Sequence, residues 1–306
     1  MKPIILLTGD SIIDNAYWND VEKDTTAEYL RKMNLRVIDR ATEEITATRF
    51  FQDSKGIVVS NHYVKSRKNK GIPYDGFYDN NNVFRVKPVP ESNVYEWWST
   101  PVENRYVVLS LGGNDLVLMQ NYDINNIKKK LKKVIKKLIN DTKINSKNLL
   151  YVIPYPPNKG LSKILEQMFL QRNLDITPKK FYKSWTNKTK KMCKKLGISY
   201  ISLEDFTSKD KGPDDARIPE PTKQGAEKIA IKINDFIIGK ILSDYKLLLK
   251  ICKNQESHLR LLELPKNVLR WVYNFSKYAI KNGSQLKINN DIVSLYEELN
   301  KNDEHN

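Results

Sequence analysis

Five short apolar runs punctuate the chain without the alternation of a half-exposed strand: residues 3–8 (PIILLT), 35–38 (LRVI), 106–111 (YVVLSL), 149–153 (LLYVI) and 198–203 (ISYISL). Near-continuous runs of this length mark strands buried on both faces. Helical spacing fills the intervals. Ile127, Leu131, Val134, Ile135, Leu138 and Ile139 make one stripe, and residues 25–33, 162–170, 179–196 and 222–243 carry similar patterns. Strands alternating with helices predict βαβ units, a parallel sheet and helices on both of its faces.

Two segments break the alternation. Residues 53–101 are rich in Tyr, Asn, Gly and Pro, and predict an irregular insertion near the mouth of the fold, with room for a short hairpin. Beyond residue 243 the pattern turns purely helical, with candidates at 247–252, 258–264, 268–280 and 291–299 and a polar tail at 301–306. The expected organisation is one α/β domain over 1–243 and a helical extension over 244–306. No internal repeat is visible.

Composition narrows the function classes. The chain has 306 residues and 40% hydrophobic content, enough for a substantial core. No apolar stretch reaches the roughly 18 residues of a membrane span. The first strand follows Met1 at once, which leaves no room for a signal peptide, so a cytoplasmic or intracellular location is expected. The two cysteines, Cys193 and Cys252, lack metal-ligand spacing and fit a reducing compartment. No metal and no cofactor are expected. Lys plus Arg number 52 against 36 acids, a net charge of +16. Such a charge suits nucleic acid or another acidic partner, and equally suits a lysine-rich solubilising surface. The helix IKKKLKKVIKKLIND carries both readings: its apolar stripe faces a sheet, and its lysines face either water or an anion.

Chemistry concentrates where strands end, since ligands of open parallel sheets bind outside the carboxyl edge. Gly9-Asp10-Ser11 follows the first run and Gly112-Gly113-Asn114-Asp115 follows the third. A serine on such a turn is either a presented nucleophile or a plain helix start. Together the two motifs resemble the G-D-S and G-x-N-D blocks of SGNH (GDSL-type) hydrolases. GDSIIDN and LSLGGND are particularly similar to a bacterial subgroup reading GDSIFDN and VSVGGND. The resemblance covers roughly the first 243 residues. It implies a three-layer α/β/α sandwich with a five-stranded parallel sheet in the flavodoxin-like order 2-1-3-4-5. It also implies that Ser11 attacks an ester carbonyl from a helix N-terminus, with the Ser11 N–H and the Asn114 amide as oxyanion donors. Gly113 and Arg40 then border the oxyanion and substrate, Arg40 standing where the family's second block has glycine in VIDRATEEI. There the arginine keeps a backbone donor, and its side chain either crowds the pocket or attracts an anionic substrate. Asp10 and Asp115 are expected to fix turns.

The last block departs from the family. Aligned on the final helix, DDARIPEPTKQGAEKIA places Arg217 at the usual aspartate and Glu220 at the usual histidine. The subgroup also resembles this chain here, reading I-E-P-S. Glu220 is either the base, with burial and Asp214 or Asp215 raising its pKa, or a cap for the last helix. The histidines are His62, His258 and His305, of which His62 in the insertion is the first alternative base. Three functions remain open. One is a serine hydrolase of a carboxylic ester, such as an O-acyl group on a sugar or lipid. Another is a weak or inactive relative that binds an acylated or anionic ligand. The third is a basic module for nucleic acid or protein.

Overall fold

The computed structural model describes residues 2–14, 24–52, 54–117, 123–212 and 220–253. In chain order, β1 (Ile4–Gly9), α1 (Thr26–Lys32) and β2 (Arg36–Ala41) open the fold. The insertion follows with β3 (Ile57–Val58), α2 (Asn61–Asn69), β4 (Phe77–Tyr78), β5 (Phe84–Val86) and α3 (Tyr95–Trp98). Then come β6 (Arg105–Ser110), α4 (Gly113–Val117), α5 (Ile124–Thr142), β7 (Leu149–Ile153), α6 (Lys159–Gln171), α7 (Pro178–Leu196), β8 (Ser199–Ser202), α8 (Ser208–Lys211) and α9 (Lys223–Lys253).

The main sheet is five-stranded and parallel throughout, in the order β2-β1-β6-β7-β8. Alternate residues of each strand feed two cores. Ile4, Leu6, Val107, Leu109, Leu149 and Tyr151 pack on one side against α5, α6 and α7. Ile5, Leu7, Tyr106, Val108, Leu150 and Val152 pack on the other side against α1 and α9. The result is a three-layer α/β/α sandwich. The order reverses between β1 and β6, and that switch point is where a ligand crevice forms in such sheets.

Local chemistry sets the helix limits. Thr177 caps α7 through the Lys180 N–H, Pro178 fills its first turn, and Gly197 ends it in a left-handed conformation. Asp123 caps α5 by accepting from the N–H groups of Asn125 and Asn126. In α5, Ile127, Leu131, Val134, Ile135 and Leu138 are buried, while Lys129, Lys133, Lys136 and Lys137 lie exposed. The insertion is more regular than expected. It holds a second, antiparallel sheet, ordered β3-β5-β4, over a small core of Val59, Tyr63, Tyr74, Phe84 and Val86. The last helix is longer than expected: α9 runs unbroken through residue 243 to Lys253. The remaining helical candidates, at 258–264, 268–280 and 291–299, lie outside the described residues. Among the described residues no helix is long and apolar enough to cross a membrane.

Candidate active site

The turn after β1 is built from the sheet outward. Gly9 has φ +128°, and a Cβ there would lie 1.8 Å from the Ser110 carbonyl oxygen, so the position takes only glycine. This close approach lets the Asp10 N–H donate to the Ser110 carbonyl at 2.8 Å. The Ser110 hydroxyl donates back to Asp10 Oδ1 at 2.6 Å, and Oδ1 also accepts from the Ile12 N–H at 3.3 Å. The N–H groups of Ile13 and Asp14 both reach the Asp10 carbonyl at 3.1 Å. Ser11 therefore sits on a one-turn bend whose start is fixed to β6, and what continues it at 15–23 lies outside the described residues.

The turn after β6 is fixed in the same way. Asp115 Oδ2 accepts from the Ala47 N–H at 2.7 Å, and Asn114 Nδ2 donates to the Ile45 carbonyl at 3.1 Å. Asp10 and Asp115 thus tie turns together. The loop after β2 that supplies Ala47 and Ile45 reverses at Glu44, a left-handed residue with φ +57°. Arg40 does not take the place expected for it. Its buried guanidinium turns toward the insertion and pairs with Asp75 at 2.8 Å, and it does not line the cavity beside Ser11. The partner carboxylate in the insertion outbids the pocket for its charge.

Glu220 comes to Ser11 from the far end of the fold. The Ser11 hydroxyl donates to Glu220 Oε1 at 3.0 Å, and Oε2 is buried with no hydrogen-bond partner among the described residues. Glu220 does not cap the last helix. Thr222 does, its Oγ1 accepting from the Gly225 N–H at 3.2 Å and donating to the Lys209 carbonyl at 2.6 Å. Gly225 allows this, because a Cβ there would lie 2.0 Å from the Asp210 carbonyl. The start of α9 is thus pressed onto α8, and the residues just before it are aimed over the end of β1.

Electrostatics at this spot are unusual. Burial, reinforced by the nearby charges of Asp10 and Asp14, pushes the Glu220 carboxyl up to about 8, although the Ser11 hydrogen bond pulls the other way. Burial likewise raises Asp10 to about 6 against the pull of its Ser110 bond. Asp14 is itself held by the insertion. Arg67 Nη1 donates to Asp14 Oδ1 at 2.5 Å, Arg67 Nη2 to Asp39 Oδ2 at 2.9 Å, and the Tyr74 hydroxyl to Asp14 Oδ2 at 2.5 Å. Burial works against the Arg67 charge, but Asp14 and Asp39 more than offset it and hold the guanidinium protonated. The Arg67 guanidinium also lies 4.2 Å from the Tyr74 ring centre. No pattern in the sequence marks this cluster; its members come from the β1 turn, β2 and the insertion.

Ser11, Gly113, Asn114 and Glu220 line one cavity of about 100 Å³. The structure thus brings together Ser11, Asn114, Gly113 and Glu220, and leaves Arg40 apart. Asp214 and Arg217 lie outside the described residues, as do His258 and His305. His62 is exposed on α2, with Nδ1 2.8 Å from the Ser60 hydroxyl, and does not line the cavity. Among the described residues no group of acidic, histidine and cysteine side chains could hold a metal ion.

No protein-family model and no curated protein matches the sequence. The solved structures to which the chain bears a distant likeness include GDSL-type and related esterases. One is a protein of the G-D-S-L lipolytic family from Desulfitobacterium hafniense DCB-2 (12% identity over 75% of this chain and 96% of that one, TM-score 0.41). Another is an aryl esterase of M. smegmatis (12% identity, 76% and 96%, TM-score 0.42). A third is a carbohydrate acetylesterase from Sinorhizobium meliloti (13% identity, 76% and 98%, TM-score 0.41). The chemistry open to this site rests on its own atoms.

Proposed function

We propose that the protein is a serine hydrolase of carboxylic esters, with Ser11 as nucleophile and Glu220 as its base. The observation that carries this is the 3.0 Å bond from the Ser11 hydroxyl to a buried carboxylate whose proton affinity is raised toward neutral pH. A carboxylate with pKa near 4.3 is a poor base for a hydroxyl, whereas one near 8 is a better match. In the first half-reaction Ser11 Oγ bonds to the ester carbonyl carbon while its proton passes to Glu220. The tetrahedral oxyanion is met by the Ser11 N–H and by the Asn114 amide, whose Nδ2 carries a second hydrogen beside the one given to Ile45. The carbonyl re-forms, the C–O bond to the alcohol breaks, and the alcohol leaves with the proton from Glu220. In the second half-reaction water gives a proton to Glu220 and attacks the acyl carbon, and Ser11 departs with that proton. The acid is released and the site is restored.

The raised pKa has a consequence for rate. Near pH 7 most Glu220 carries a proton and cannot accept another, so turnover is slow there and grows toward alkaline pH. The test is hydrolysis of p-nitrophenyl acetate by the wild type and by Ser11→Ala, together with labelling of Ser11 by a fluorophosphonate. Ser11-dependent turnover and labelling support the assignment. Equal rates for the two proteins and no label on Ser11 defeat it.

A further inference from the structure

Beyond the polar end formed by Ser11, Asn114 and Glu220, the cavity is walled by apolar side chains of one helical layer. Leu116 comes from α4, Leu161 and Leu165 from α6, and Phe181 and Trp185 from α7. Tyr182 adds its ring, since its hydroxyl is already given to the Pro154 carbonyl at 2.5 Å. These residues belong to the core that supports the sheet, so the wall is part of the fold and not a mobile flap. The cavity, at about 100 Å³, is of the same order as the roughly 150 Å³ that admits a benzene molecule in an apolar protein interior. An acetyl group, with a single methyl, would leave most of such a wall without a partner. Small polar sugars would meet mostly carbon on it, apart from the Trp185 N–H, which has no partner among the described residues.

We infer that this cavity receives an apolar group of about four to six carbons carried by the ester substrate. The inference rests on Ser11 acting as the nucleophile, and it extends that assignment from the reacting bond to the substrate class. The group can belong to either half of the ester, because both halves meet at the carbonyl beside Ser11. The helical wall presents leucine methyls and ring faces and no charged group, which suits a hydrocarbon group.

The test measures acid release from two ester series with the full chain. One runs from methyl acetate through methyl butanoate to methyl hexanoate; the other runs from methyl acetate through butyl acetate to hexyl acetate. The expected result is a rise in kcat/KM of about tenfold or more along one series, a part of what burial of the roughly four to five added methylenes can supply. A rise along the acyl series places the chain on the acid side, and a rise along the alcohol series places it on the alcohol side. Narrowing the cavity with Leu165→Trp, or more gently with Leu161→Phe, is expected to bring the longest-to-shortest ratio down toward 1. Each ratio is taken within a single protein, so partial loss of folded enzyme cancels. Ser11-dependent hydrolysis with flat or falling rates along both series overturns the substrate class and leaves the hydrolase standing. No ester in either series hydrolysed faster than by Ser11→Ala overturns both.

Discussion

Ser11 Oγ donates a 3.0 Å hydrogen bond to Glu220 Oε1, joining residues 209 positions apart. With the Glu220 carboxyl pushed up to about 8, the bond pairs the hydroxyl with a carboxyl group that is ionised mainly above about pH 8. The expected pH profile of kcat/KM therefore climbs about tenfold per unit below pH 7 and levels off above about 8. Initial rates from pH 5 to 10 check this. A plateau already reached by pH 7, retained in Glu220→Gln, would assign the base elsewhere.

Glu220→Gln is expected to lower kcat by about 10² to 10⁴, the usual worth of a positioned base. Its effect on stability has a defined sign. The folded chain keeps the Glu220 proton up to about pH 8, whereas the unfolded chain releases it near 4.5. The contribution of Glu220 is thus fully present below about pH 4.5 and is lost as pH rises toward 8. Glutamine does not ionise. Melting curves should show the variant gaining on the wild type between pH 5 and 9, by roughly 2–4 °C for each kcal/mol.

Asn114→Ala is expected to reduce kcat by about 10² to 10³, as loss of one oxyanion donor does elsewhere. The Ile45 carbonyl loses its partner as well, at a cost of about 1 kcal/mol in stability. Steady-state kinetics and urea denaturation on one preparation separate the two effects.

Arg67→Met leaves Asp14 and Asp39 facing each other without their cation. Breaking a buried pair from one side costs about 3–5 kcal/mol. Adding Asp14→Asn should recover part of that loss, and a double-mutant cycle in urea measures the coupling.

Gly9→Ala combines a φ of +128° with a Cβ 1.8 Å from the Ser110 carbonyl. A loss of more than about 3 kcal/mol, or failure to fold, is expected from the clash with backbone. Thermal melting and soluble yield report it.

Much of the framework was legible because its signals are local. The runs at residues 3–8, 106–111 and 149–153 are apolar throughout, since both faces of β1, β6 and β7 are covered by helices. The stripe of Ile127, Leu131, Val134, Ile135 and Leu138 reads directly as the buried face of α5. The Gly-Asp-Ser and Gly-Gly-Asn-Asp turns show themselves by following such strands. Strands of two or three residues, as in the insertion, are too short to display alternation, so its turn-rich composition pointed to a hairpin but not to a three-stranded sheet. Glu220 beside Pro221 looked equally like a cap and a base, because the deciding contact, Thr222 with Gly225, depends on how α9 meets α8. The pairing of Arg40 with Asp75, and of Arg67 with Asp14, joins residues far apart in the chain, and only folding reveals it.

The grip of Arg67 and Tyr74 on Asp14 makes the insertion and the serine turn one inheritable cassette. Asp14 stands three residues beyond Ser11, and its carboxylate accepts from Arg67 and Tyr74 of the insertion. Trimming residues 54–101 to a short linker would strip Asp14 of the Arg67 cation and the Tyr74 donor near Glu220, and would drive the proton affinity of Glu220 still higher. Loop exchange between this chain and a relative therefore succeeds only as a matched set. A donor segment must bring its own cation and phenol to Asp14, or the acceptor must replace Asp14 with a neutral residue.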